Sequence, residues 1–183
     1  HAVLSMKGVT ERGGFSLSEM SGAVDLRQDE LTIKNFRYIT PNSDINGELE
    51  VSAAHQNFFD FDRAQWDVHL HAIPFHTSDI SCFFPNLFDH QRSIYGQIDL
   101  KGNLASMDIG RLQLTTGRLT KLDLTGKVRN LLQPDSLYAN IDVKNLQTDD
   151  ADVKDLLRFL KQDPTVIPPN ISTLGLMTYQ GFI

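Results

Sequence analysis

The chain has a single cysteine, Cys82, so it cannot build an internal disulfide framework, although that says little about its compartment. It has no excess of basic charge: 17 Lys and Arg stand against 23 Asp and Glu, a formal net charge of -6. That balance argues against nucleic acid or an anionic membrane surface as a partner, since both reward basic patches. No apolar run approaches the roughly 20 residues needed to span a bilayer as a helix. No secretory leader is read at the start, where His1 in place of Met leads us to expect that the beginning has been cut away. The sequence carries no G-x-x-x-x-G-K-[ST] or G-x-G-x-x-G phosphate loop and no G-x-S-x-G nucleophile elbow. Cys82 sits beside an apolar stripe, where a core thiol is the default. Acid pairs such as Asp149-Asp150 fit helix capping before they fit acid–base chemistry. The "NIS" triplet at 170–172 meets the glycosylation pattern, which arises often by chance.

What the chain does have is a repeat. Apolar-x-Gly-x-apolar occurs five times: "MSGAV" at Gly22, "INGEL" at Gly47, "LKGNL" at Gly102, "LTGKV" at Gly126 and "YQGFI" at Gly181. The unit is about 79 residues (126−47 and 181−102), which gives two copies and the opening of a third. We therefore expect a lead-in strand over 1–14, a first unit over 15–92, a second over 93–168, and the start of a third over 169–183. A chain that stops on the first phrase of a repeat is expected to be a piece of a longer repetitive protein.

Within each unit the pattern alternates with period two, which marks strands with one apolar and one wet face. "LTIKNFRYITPNSDI" and "GRLQLTTGRLTKLDL" read as strand, turn, strand, with the turns at Thr40-Pro41 and Thr116-Gly117. Trp66, Val68, Leu70 and Ala72 alternate with polar residues, as do Leu137, Ala139, Ile141 and Val143. Each unit then closes with an expected short helix, over 77–88 and 149–161. Ile80, Phe83, Phe84 and Leu87 form one apolar stripe, and Val153, Leu156, Leu157 and Leu160 form the other, at a constant offset of 73 (153−80). Thr77 or Ser78 and Thr148 or Asp149 are candidate caps, and Pro85 is expected to shorten or kink the first helix.

Glycine weakens a strand, so its recurrence needs a reason. One account is a bulge, or room for a large cross-strand neighbour such as Phe36, Tyr38 or Trp66. The other is an apolar face kept shallow so that an external apolar group can lie along it. His69 and His71 share one strand face, a spacing compatible with a metal, with His55, His76, His90, Asp60, Asp62 and Asp67 near in sequence. Two ligands are fewer than a site requires, and the second unit carries Asp142 and Lys144 on the corresponding strand, so no metal site is assigned.

"LKGNLASMDIGRLQLTTGRLTKLDLTGKV" followed by "NIDVKNLQTDDADVKDLL" resembles the degenerate repeats of the TamB and AsmA-like family, and "YITPNSDINGELEV" is a variant of the theme. The likeness lies in the order and phase of "LxG", the strand–turn–strand around "LTTG", the second "LxG", and a strand running into a D-[IV]-x-x-[LF]-[LF] helix, over about 15–183. The resemblance implies a mostly β fold, a repetitive antiparallel curved sheet forming a groove, here with two short amphipathic helices. It implies a non-catalytic segment with no cofactor, placed in the periplasm of a diderm bacterium as part of an inner-membrane-anchored protein whose anchor lies outside these residues. The partners it implies are a phospholipid or other acyl-chain lipid and an outer-membrane barrel assembly protein. The groove candidates are Gly22, Gly47, Gly102, Gly126, Trp66, Val68, Leu70, Ile141 and Val143. The per-unit helices depart from the family pattern and raise the alternative of a face plugged by their stripes. Two other readings remain: a module that pairs with partner strands through its sheet edges, and a metal-dependent enzyme built on His69 and His71.

Overall fold

A computed structural model describes residues 2–10, 15–54, 57–58, 60, 63–81, 91–131, 133–159, 161, 163–166 and 175–183. Ten strands follow one another along the chain: β1 (Ala2–Thr10), β2 (Ser16–Arg27), β3 (Glu30–Ile39), β4 (Asp44–Ser52), β5 (Gln65–His76), β6 (Ser93–Gly102), β7 (Ser106–Thr116), β8 (Thr120–Arg129), β9 (Tyr138–Asp149) and β10 (Leu176–Phe182). They form a single antiparallel sheet in strict sequence order. Each strand is hydrogen-bonded to the one before it and the one after it, so the described sheet is an open meander with β1 and β10 at its two ends. The substantial contacts between strands likewise run only between consecutive ones.

The alternation in sequence explains the register. Across β3 to β6, Leu31 faces Val51, Val51 faces Trp66, and Trp66 faces Gly102. One step along, Ile33, Leu49, Val68 and Leu100 line up, and β7 to β9 continue the row with Ile109, Gly126 and Ile141. Because successive side chains point to opposite faces, this register collects most of the strands' apolar residues on one side, although Val3, Tyr95 and Phe182 fall on the other. The intervening polar residues cover the other, as in the row Glu48, His69, Asp99 and Arg111.

The second expected helix is present as α2 (Asp150–Phe159), while of the first only one turn, α1 (Ser78–Ser81), falls within the described residues. Cys82, Phe83, Phe84, Pro85 and Leu87 lie outside them, as do Leu160 and the 170–172 triplet. The stripe reading of α2 needs adjustment. Its buried side chains are Asp152 and Phe159, whereas Val153, Leu156 and Leu157 are half-buried. Two polar anchors, described below, also orient the helix. Asp149 is its N-cap, accepting from the Asp152 N–H at 2.8 Å. Thr77 does not cap α1. Its hydroxyl accepts from the Arg92 N–H at 2.8 Å and holds the start of the helix against the strand that opens the second unit.

Candidate functional site: the apolar face and its rims

The groove candidates all lie on the apolar face. Gly47 faces Leu70 and Phe36, Gly102 faces Trp66, Gly126 faces Ile141, Val143 faces Leu124, and Gly22 faces Leu4. Of the residues at the centre of this face, Val51 and Val143 are buried. Trp66, Val68, Leu70, Ile98, Leu100, Leu112, Leu122, Leu124 and Ile141 are only half-buried. A second layer would bury such residues outright, so most of the described face has none above it.

Cover exists at one rim. There Ala53, Phe58 and Ala64, from the connection between β4 and β5, pack with Val51 and bring Leu31, Leu49 and Trp66 into a small core. Beside it, Trp66, Val68, Leu100, Gly102, Leu104 and Met107 border an apolar pocket of about 140 Å³.

The opposite rim is held by two matching latches. At the end of β5, the buried carboxylate of Asp79 accepts from the hydroxyl of Thr40 at 2.5 Å, from the side-chain amide of Asn42 at 3.4 Å, and from the Ser43 hydroxyl, so α1 is tied to the turn between β3 and β4. At the end of β9, buried Asp152 accepts from the N–H groups of Arg118 (3.0 Å), Leu119 (2.6 Å) and Thr120 (2.8 Å) and from the Thr120 hydroxyl (3.0 Å), tying α2 to the turn between β7 and β8. The two aspartates are 73 residues apart (152−79), the offset of the helical stripes. Burial of Asp152 pushes its carboxyl up, but the N–H groups of Arg118 and Leu119 with the hydroxyl and N–H of Thr120 outweigh it. The net effect holds the group below the usual carboxylate range. The second anchor of α2 is Arg92, 6% exposed, which pairs with Asp155 and lies 5.5 Å from the centre of the Phe159 ring. Sequence reasoning singled out neither Asp79 nor Asp152, reading only the Asp149-Asp150 pair as suited to capping. The signal that could have found the latches is an acid at the helix start 36 to 39 residues after a turn that carries Thr40 in one unit (79−40 = 39) and Thr116 in the other (152−116 = 36).

The glycines satisfy the packing account. A Cβ on Gly47 would stand 2.0 Å from the His69 carbonyl oxygen, and one on Gly126 2.4 Å from that of Asn140. Register shifts against the preceding strands lie beside both, between Ile33 and Phe36 and between Ile109 and Leu112, while the carbonyl that closes in belongs to the following strand. Gly117 meets a different demand. Its φ of +62° makes the turn whose amides Asp152 collects, and a Cβ there would lie 2.8 Å from the Asp152 carboxylate.

His69 and His71 are on the polar face. The His69 ring lies between two carboxylates, Nδ1 at 2.9 Å from Asp99 and Nε2 at 3.0 Å from Asp67, while Lys101 donates to Asp67 at 2.6 Å. The hydrogen bond to Asp99 raises the imidazole's pKa; burial opposes this, and the charges of Asp67 and Asp99 add to the rise, leaving it above its ordinary value. Among the described residues, no group of three His, Cys, Asp or Glu side chains is placed to hold a metal ion. His55, Asp62 and His90 lie outside them. His76 instead contacts the Ser78 hydroxyl at 2.5 Å. No helix among the described residues is long and apolar enough to cross a membrane.

Comparison with protein-family models, with curated proteins and with solved structures gives no match to this chain.

Proposed function

We propose that the apolar sheet face shields acyl chains, and that the chain is a non-catalytic segment of an envelope protein that moves phospholipid between membranes or supports outer-membrane protein assembly. The observation that carries this reading is a ten-stranded face whose central apolar side chains are half-buried for want of a second layer. Exposed apolar area on that scale calls for an occupant. A lipid tail meets the need without specific geometry, because apolar burial is non-directional and contributes roughly 0.8 kcal/mol per methylene. In this reading the sheet curves into a groove, α1 and α2 hold one rim of it, and the glycine bulges supply the curvature. The TamB and AsmA-like resemblance supports the same role and places it in the periplasm of a diderm bacterium, on an inner-membrane-anchored protein, with a phospholipid and an outer-membrane barrel assembly protein as partners.

The test is native mass spectrometry of the gently purified chain with lipid extraction, followed by transfer of a phospholipid bearing a fluorescent acyl chain. Val68→Asn with Leu112→Asn places two amides in mid-face and replaces neither a glycine nor a latch residue. Bound phospholipid in the wild type, lost in the double variant with circular dichroism unchanged, is the expected result. A clean apo mass together with no uptake from vesicles of phosphatidylethanolamine and phosphatidylglycerol overturns the reading.

One observation favours a second reading, an interaction module that pairs through its edges. Large apolar side chains stand out on the two outer strands, with Val3 76% and Phe182 75% exposed. A defined partner complex that carries no lipid would select it. A metal-dependent enzyme on His69 and His71 would require stoichiometric metal.

A further inference from the structure

The polar face holds a feature that the lipid reading does not use. Over much of this face charges neutralise one another across or along strands: Lys7 with Glu19, Arg27 with Asp25, Lys101 with Asp67, and Lys127 with Asp108. Towards the β7–β8 turn, on β6 to β9, the pattern changes. Tyr95, Gln113, Thr115, Lys121, Asp123 and Asn145 border a cup of about 310 Å³. Tyr95 stands at its edge 53% exposed. Gln113 donates to Asp123 at 2.7 Å, which fixes both groups and leaves the second carboxylate oxygen open. The side chains of Tyr95, Thr115, Lys121 and Asn145 have no partner among the described residues. The register explains why they converge: Tyr95, Thr115 and Lys121 form one cross-strand row, and Gln113, Asp123 and Asn145 form the next.

From this arrangement we infer that the cup is a carbohydrate-binding site for a single neutral pyranose ring. Lys121 and Asp123 cancel, so the site offers no net charge to an anion or a cation. Its groups instead mix donors and acceptors, as sugar hydroxyls do. Asn145 and Gln113 bring amides, Thr115 a hydroxyl, Asp123 an acceptor and Lys121 a donor. Tyr95 supplies a flat apolar surface ending in a polar tip, which suits the C–H face of a sugar ring. The volume is at the lower end of the range for small-ligand sites, consistent with one ring and a shallow mouth. The inference is independent of the lipid reading, since the cup lies on the opposite face of the sheet.

The experiment is a two-dimensional ¹H–¹⁵N NMR titration of the whole chain with glucose, galactose and N-acetylglucosamine, each taken to high millimolar concentration. The expected result is saturable shifts with at least one sugar, grouped on 95, 113, 115, 121, 123 and 145, with Kd in the millimolar range. Tyr95→Ala is expected to weaken binding about tenfold or more, and Tyr95→Phe to retain most of it. Asn145→Ala, also weakened, decides the matter if Tyr95→Ala does not fold. Absence of saturable shifts with all three sugars, shifts scattered away from these residues, or an unchanged Kd in both alanine variants overturns the assignment.

Discussion

A methyl group added at Gly47 and one added at Gly110 meet different surroundings, and the contrast separates glycines that hold the sheet together from one that does not. At Gly47 it would lie 2.0 Å from the carbonyl oxygen of His69, where only backbone displacement can relieve the clash. At Gly110 its nearest neighbours are the Asp99 Cβ and carbonyl oxygen, both at 3.6 Å, an ordinary contact. Gly47→Ala is therefore expected to cost about 3 kcal/mol, within the range of overpacked or strained sites. Gly110→Ala is expected to be neutral or to stabilise by about 0.5 kcal/mol, because alanine is the less flexible residue in the unfolded chain. Urea denaturation of the two variants side by side checks this. Equal losses would mean that β4 and β5 do not approach as closely as described. The recurrence of glycine was legible in the sequence, and so was its placement on the apolar face. Which of two physical causes it served was not, because the clash is with a residue on the next strand and the local pattern is the same for both.

Strands and hairpins were the most legible elements, since a two-residue alternation bounded by turn residues is local information. β3, β4, β7 and β8 fall where "LTIKNFRYITPNSDI" and "GRLQLTTGRLTKLDL" place them. The latches were illegible for the opposite reason. Asp152 reaches residues 118–120, more than thirty positions back, and its role as a turn acceptor looks in sequence like one more acid at a helix start. Removing it makes a sharp prediction. Asp152→Ala leaves the Arg118, Leu119 and Thr120 N–H groups without their acceptor and is expected to cost about 3 kcal/mol. The carboxyl is held below its ordinary value in the fold, so its contribution is complete above the unfolded value near pH 4. It is lost as pH falls through the folded value. Stability of the wild type should thus fall below about pH 4 more steeply than that of Asp152→Ala. Parallel acid-unfolding curves for the two proteins would refute the latch.

The same substitution tests how far disturbance travels. With each strand bonded only to its neighbours along the chain, stability is expected to behave as a sum of nearest-neighbour terms, as it does in solenoids. In hydrogen exchange, Asp152→Ala should raise exchange in β7, β8 and α2 while β2 and β3 keep their protection. Uniform loss of protection across all ten strands would show a single cooperative unit instead.

At the scale of the whole molecule, an open sheet has two vulnerable borders, and here they can be separated from the apolar face. Val3 pairs opposite Ala23 and Phe182 opposite Asp142, in register with the polar rows, so both project from the wet side of the outer strands β1 and β10. Unpaired strand edges beside exposed apolar side chains invite strand addition, and lysine at an edge discourages it. Val3→Lys with Phe182→Lys should leave the fold within about 0.5 kcal/mol of wild type, since both side chains are largely in water. The same pair should reduce any concentration-dependent association seen by sedimentation velocity, with phospholipid retention unchanged. The mid-face pair Val68→Asn and Leu112→Asn should do the reverse, lowering lipid retention while association persists. If edge lysines abolish lipid retention, or mid-face amides abolish association, then copies meet through the apolar face itself. The acyl-chain reading would in that case give way to a self-complementary interface.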